Sequence, residues 1–108
     1  AGGLAIWAHP LISGVDPAQL LSMFTELRSY GLDGIELYYD YTRFLQSENI
    51  SRDTYHRALE TLQNLIHESS MYITGGSDWH GTKPSRLGCV SVPVEAYRRL
   101  ANYRSQDV

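Results

Sequence analysis

The chain has 108 residues, a formal net charge of −3, 43% hydrophobic residues and 19% charged residues. This composition is ordinary for one small globular domain, and the length is below that of a complete α/β barrel. The negative charge excludes strong non-specific nucleic-acid binding, and no apolar run approaches the ~18 residues of a membrane helix. The single cysteine, Cys89, excludes an internal disulfide. With no signal-peptide pattern, we expect a cytoplasmic protein without membrane contact.

Strand and helix patterns alternate from the start of the chain. Residues 4–8 (LAIWA) form a continuous apolar run typical of a strand buried in a parallel sheet. A helix is predicted over 17–30, because Asp16 is a favourable N-cap, Pro17 suits the first helical position and an apolar stripe follows. A second strand is predicted over 34–39. The order is therefore strand, helix, strand.

The same alternation continues in the second half of the chain. The clearest helix is predicted over 52–69, with Ser51 as its cap. A third strand is predicted over 71–75, residues 88–92 are a candidate for a short fourth extended piece, and a last helix is predicted over 94–103. This alternation predicts the α/β class, with a parallel sheet and right-handed crossovers.

Polar side chains follow the first and third predicted strands where those strands end. His9 follows the first strand, and Asp78 and His80 follow the third in the stretch YITGGSDWHG. Residues two apart on an extended backbone face the same side, so Asp78 and His80 are predicted to point together and Trp79 away from them. Imidazole and carboxylate groups are ligands for zinc, manganese or iron. We expect a metal site shared with His9, and the alternative is a structural Asp–His hydrogen bond in a loop.

Glycines surround the stretch that carries Asp78. Gly75, Gly76 and Gly81 form neither a nucleotide-binding fingerprint nor a phosphate-binding loop. No G-x-S-x-G elbow of a serine hydrolase is present in the sequence. We expect these glycines to leave room near the backbone for metal ions and a phosphate.

Five other polar residues have competing interpretations. His56 and His67 fall on the polar stripe of the 52–69 helix and are predicted to be solvated surface. Glu36 could support the metal ligands, but a pairing with a nearby arginine or tyrosine is favoured. Lys83 and Arg86 follow the ligand loop and suit a phosphate or carboxylate, with surface solvation as an equal alternative.

Taken in order, AGGLAIWAHP, DGIELYY and TGGSDWHG followed by LG resemble the C-terminal part of the PHP (polymerase and histidinol phosphatase) domain family. The branch they resemble is that of bacterial metal-dependent phosphoesterases acting on nucleotides or RNA ends. The resemblance implies a distorted (β/α)7 barrel with two or three divalent ions, zinc, manganese or iron. His9 matches the family's third metal motif, and Asp78 and His80 match the fourth. The metals would bind the phosphate, neutralise its charge and activate the attacking water.

Two metal motifs of the family are missing from the 108 residues: the first, an H-x-H, and the middle motif with a bridging carboxylate and a histidine. We therefore expect residues 1–108 to be a single partial PHP domain that is inactive without the remainder of that domain. The full-length parent is expected to hydrolyse a phosphate ester of a nucleotide, an RNA end or a small metabolite. No catalytic residue beyond the metal ligands is expected. The alternatives are a non-catalytic PHP-like scaffold or interaction module, and a barrel-type metal hydrolase acting on an amide or amine.

Overall fold

A parallel sheet of three strands is the centre of the fold in the computed structural model, which describes residues 2–81 and 88–106. The strands are β1 (Ile6–Trp7), β2 (Gly34–Tyr38) and β3 (Tyr72–Gly75), and their spatial order is the same as their order in the chain. Both pairings are parallel. The predicted α/β class and the parallel sheet are therefore confirmed.

Helices connect the strands. They are α1 (Pro17–Ser29), α2 (Thr42–Ser47), α3 (Arg52–Ser69) and α4 (Val94–Gln106), and a 3-10 helix spans Pro10–Ser13. The two longer connecting helices begin at their predicted caps. The Asp16 carboxylate accepts a hydrogen bond from the Ala18 N–H, and the Ser51 hydroxyl accepts one from the Thr54 N–H, each at 3.2 Å. Such caps satisfy backbone donors that would otherwise lack partners.

The core lies between one face of the sheet and the helices α1 and α3. Ile35 of β2 is completely buried, and its sheet neighbours in register are Trp7 and Ile73. Leu20 of α1 and Leu62 of α3 are buried against the same cluster. Because Trp7, Ile35 and Ile73 are apolar and adjacent in the sheet, burial of their side chains determines which face of each strand points into the core.

Three features differ from the sequence predictions. Strand β1 is shorter than residues 4–8, and residues 88–92 contain no strand. Helix α2 was not predicted, because its six residues are too few to show a helical period. The stability of α2 comes from packing instead, since Phe44 and Leu45 contact the core cluster.

Helix α4 is attached to the start of β3. The Arg99 guanidinium donates hydrogen bonds to the carbonyls of Ser70 and Met71, each at 2.6 Å, and lies 4.2 Å from the centre of the Tyr72 ring. The Tyr103 hydroxyl donates to the Gly2 carbonyl at 3.0 Å, so α4 also holds the start of the described chain. Across residues 2–81 and 88–106, no helix has the length and apolar character needed to cross a membrane.

Candidate metal centre

His9 lies in a tight turn directly after β1. Its φ of 27° is in the left-handed region, which histidine adopts more readily than most side chains do. The His9 N–H donates to Glu36 Oε1 at 2.8 Å, and the Leu11 N–H donates to the Tyr41 hydroxyl at 3.3 Å. Both acceptors come from β2 or the residues that follow it. The turn that presents His9 is therefore held by two hydrogen bonds, one to the middle strand and one to the segment that follows it.

Asp78 and His80 lie in an irregular segment beyond the end of β3. Asp78 has a φ of 54°, so the segment is not extended there, and the predicted reason for the two side chains facing the same way is wrong. A turn brings them together instead: His80 Nδ1 lies 2.6 Å from the Asp78 carbonyl oxygen. Trp79 is 49% exposed.

The Asp78 carboxylate lies between two imidazoles. Its Oδ2 is 3.9 Å from His9 Nε2, and its Oδ1 is 3.7 Å from His80 Nε2. The structure thus brings together the three side chains that the sequence placed at strand ends. Both distances are longer than a hydrogen bond, so the alternative of a structural Asp–His hydrogen bond has no support in this geometry.

The donor set of these three residues fits a divalent transition metal, because two imidazole nitrogens and a carboxylate are ordinary zinc, manganese or iron ligands. Among the residues that the structure describes, no group of three or more histidine, cysteine, aspartate or glutamate side chains is arranged to hold a metal ion. The fit is therefore that of a partial ligand set, in which His9, Asp78 and His80 would need further ligands to complete a site.

Asp78 and His80 open into a cavity of about 280 Å³ at the carboxyl ends of the strands. The residues that line it are Tyr39, Asp40, Arg43, Phe44, Ser77, Asp78, His80, Cys89 and Val90. Tyr39, Asp40 and Arg43 were not predicted from the sequence. Tyr39 and Asp40 directly follow β2, so their position at a strand end, like that of His9, was the signal that could have identified them.

Two side chains that line the cavity, Tyr39 and Asp40, have pKa values that differ from their ordinary values. Burial raises the pKa of the Tyr39 phenol, and the nearby charges of Asp78, Glu36 and Asp40 raise it further. The pKa of Asp40 is lowered because Thr42 donates two hydrogen bonds to it, from its hydroxyl and its backbone N–H. Tyr39 is therefore a neutral phenol and Asp40 an anion at neutral pH. The carboxylates that line the cavity would repel a negatively charged phosphate, so phosphate binding there requires an added positive charge.

Gly75 and Gly76 are closely packed by neighbouring side chains, Gly76 by Glu36 and Gly75 by Tyr38 and Val92. A Cβ on Gly76 would lie 2.8 Å from Glu36 Oε2, and a Cβ on Gly75 would lie 2.8 Å from both Cβ and the carbonyl oxygen of Tyr38. The space beside these two glycines is thus filled by the protein's own atoms rather than left for ions, contrary to expectation. Among the described residues, Glu36 accepts a hydrogen bond from the backbone N–H of His9, whereas an arginine or tyrosine side chain was the favoured partner.

The remaining candidates from the sequence lie elsewhere. His56 and His67 are exposed on α3, as predicted. Lys83 and Arg86, the candidate substrate-binding residues, lie outside the described residues.

Comparisons of the chain with protein-family models, curated proteins and solved structures found no match.

Proposed function

We propose that this chain is the C-terminal part of a PHP-type β/α barrel and contributes His9, Asp78 and His80 to a divalent metal site that hydrolyses phosphate esters. Three observations support the proposal. The sequence motifs occur in the family's order, the strands are parallel and in sequential order, and all three candidate ligands follow the carboxyl ends of strands. Ligands in parallel α/β folds bind at that end.

The observation that carries the proposal is the position of the Asp78 carboxylate between His9 and His80, at 3.9 and 3.7 Å. Two atoms that bind one zinc ion at ~2.1 Å in tetrahedral geometry are about 3.4 Å apart. The observed spacings are slightly longer than that value and too long for hydrogen bonds. Each imidazole–carboxylate spacing would admit an ion at ordinary ligand distances, and further ligands would be needed because the three side chains alone are not arranged to hold one.

Each residue of the site has a distinct role in the proposal. His9, Asp78 and His80, with ligands from the remainder of the domain, would hold two or three divalent ions (zinc, manganese or iron), which would supply charge neutralisation of the phosphate and activation of a water. Glu36 fixes the turn that presents His9, and Asp78 supplies a negative ligand between the imidazoles. The neutral Tyr39 phenol can donate a hydrogen bond into the cavity. The substrate would be a nucleotide, an RNA end or another phosphorylated small molecule.

A non-catalytic PHP-like scaffold is the second candidate. The observation that favours it is the incomplete ligand set within residues 2–81 and 88–106. The two candidates differ in metal content. In the enzyme, the remainder of the domain completes a site that binds metal, whereas a scaffold has lost the metal site. A metal hydrolase of amides or amines would be loaded but would not cleave phosphate esters.

The test is metal analysis of the full-length protein together with release of p-nitrophenol from p-nitrophenyl phosphate. We expect at least two ions per protein and metal-dependent hydrolysis. The isolated 108-residue chain should show no turnover above a control with metal alone, since it lacks the other ligands. A full-length protein without bound metal would contradict the proposal and favour the scaffold.

A further inference from the structure

Arg43 is a cationic side chain in the wall of the candidate metal centre. It lies on the first turn of α2 and lines the same cavity of about 280 Å³ as Asp78 and His80. Among the described residues that line this cavity, Arg43 carries a permanent positive charge, whereas Asp40 and Asp78 are carboxylates.

The backbone that carries Arg43 is held firmly. Tyr41, just before α2, is 3% exposed, and its hydroxyl accepts the hydrogen bond from Leu11. The Tyr41 ring packs at centroid distances of 6.4 Å from Phe44 and 6.1 Å from Tyr55. This aromatic packing joins α2 to α3 and to the turn after β1. The backbone at Arg43 is thus fixed relative to the turn that presents His9.

The guanidinium of Arg43 has no competing partner among the described residues. The nearest carboxylate in sequence, Asp40, receives hydrogen bonds from the Thr42 hydroxyl and N–H at 2.6 and 3.0 Å. Within residues 2–81 and 88–106, the close approaches between Asp78 and the two histidines do not involve Arg43, and Arg43 forms no ion pair there. A guanidinium without a protein partner can donate two parallel hydrogen bonds to an incoming ligand.

We propose that Arg43 binds the phosphate group of the substrate from the side of the cavity formed by α2. This inference rests on the proposed function and adds a specificity-determining residue to it. A phosphate between the carboxylates of Asp40 and Asp78 needs positive charge, and guanidinium binds phosphate oxygens in a bidentate manner. Arg43 would supply that charge and select a phosphate over a neutral ester.

The alternative is a solvated arginine on the surface of a short helix. Arg43 is exposed, and exposed arginines commonly contribute nothing to a site. The two interpretations predict different results for phosphate binding, because a solvated arginine can be neutralised without effect.

The experiment measures binding of inorganic phosphate to the full-length, metal-loaded protein by calorimetry, with metal content determined on the same samples. The variants are Arg43→Gln, Arg43→Lys and the matched control Arg52→Gln. Arg52 is an exposed arginine at the start of α3 that lines a different cavity. We expect Arg43→Gln to raise the Kd for phosphate about tenfold or more, since a charge-assisted bond is lost. Arg43→Lys should give an intermediate Kd, and Arg52→Gln should behave as the unmodified protein.

Measuring the metal content distinguishes failure of the Arg43 proposal from failure of the proposed metal site. Arg43→Gln should keep the full metal content, because Arg43 is a substrate group and not a ligand. If the unmodified protein holds metal and binds phosphate but Arg43→Gln binds it equally well, the inference is wrong and the metal site remains. If the unmodified protein holds no metal and binds no phosphate, both fail.

Discussion

The Glu36 carboxylate accepts a hydrogen bond from the backbone N–H of His9 at 2.8 Å. Glu36 lies in the middle strand, so this bond connects the centre of the sheet to the turn after β1. The same carboxylate is packed against Gly76 at the end of β3. One side chain thus contacts both segments that carry candidate metal ligands.

We expect Glu36→Ala to lower the metal affinity of the full-length protein about 10- to 100-fold, as loss of a group that orients a ligand typically does. Glu36→Gln should retain most of the affinity, because its amide oxygen can still accept from His9. Titration with zinc against a competing chelator measures this. Glu60→Gln on the exposed face of α3 is the control. Equal affinity in Glu36→Ala and the control would show that the bond does not position His9.

Tyr41→Phe should destabilise the protein by ~1–2 kcal/mol at neutral pH, because the buried Leu11 N–H loses its acceptor. Burial raises the pKa of Tyr41, so the phenol contributes stability below its ordinary pKa of about 10 that is lost as the pH rises through the folded value. Urea unfolding at several pH values tests both effects. The variant should lose less stability than the unmodified protein between about pH 9 and 11.

The control for Tyr41→Phe is Tyr30→Phe, since the Tyr30 side chain is 83% exposed. It should change the free energy of unfolding by less than ~0.5 kcal/mol at neutral pH. An alkaline loss of stability in Tyr41→Phe as large as in the unmodified protein would assign that loss to other tyrosines.

Gly75→Ala should cost about 1–3 kcal/mol of stability, because the added methyl group overpacks a filled site. The new Cβ would lie 2.8 Å from the Tyr38 Cβ and also against the Val92 side chain. Gly3→Ala is the matched control, since nothing lies within 4 Å of a Cβ there. Thermal unfolding compares the two, and similar melting temperatures would contradict the packing seen between β2 and β3.

His56→Gln and His67→Gln should each change the free energy of unfolding by less than ~0.5 kcal/mol and activity by less than about twofold. Both imidazoles are exposed on α3 and lie outside the described residues that line the cavity of the candidate metal centre. Kinetic assays of the full-length protein measure the effect. A large loss of activity in either variant would place this face of α3 at a functional surface.

The elements that the sequence predicted correctly are those with a clear period or a cap. The helices α1 and α3 begin after Asp16 and Ser51 because local hydrogen bonds decide those positions. The short helix α2 could not be found in this way, since its stability depends on contacts with the core that only the folded chain makes. The same contacts bring Arg43 into the cavity.

The proximity of His9 to Asp78 follows from the parallel topology, and the sequence was sufficient to predict it. The local backbone geometry that brings the two side chains together was not predictable. Asp78 adopts a left-handed conformation, and Glu36 bonds to a backbone group 27 residues away. Both depend on how the loops close over the sheet, which no short sequence pattern encodes.

The most direct test of the metal centre is the metal content of the full-length protein and of its Asp78→Asn and His80→Ala variants, measured by plasma mass spectrometry beside activity. Trp79→Phe is the control, because the half-exposed Trp79 lies between the two candidate ligands and does not line the cavity. We expect each ligand variant to lose bound metal and at least ~100-fold in kcat, since metal assistance is removed, while Trp79→Phe retains both. Full metal content in Asp78→Asn and His80→Ala would contradict the assignment of these residues as ligands.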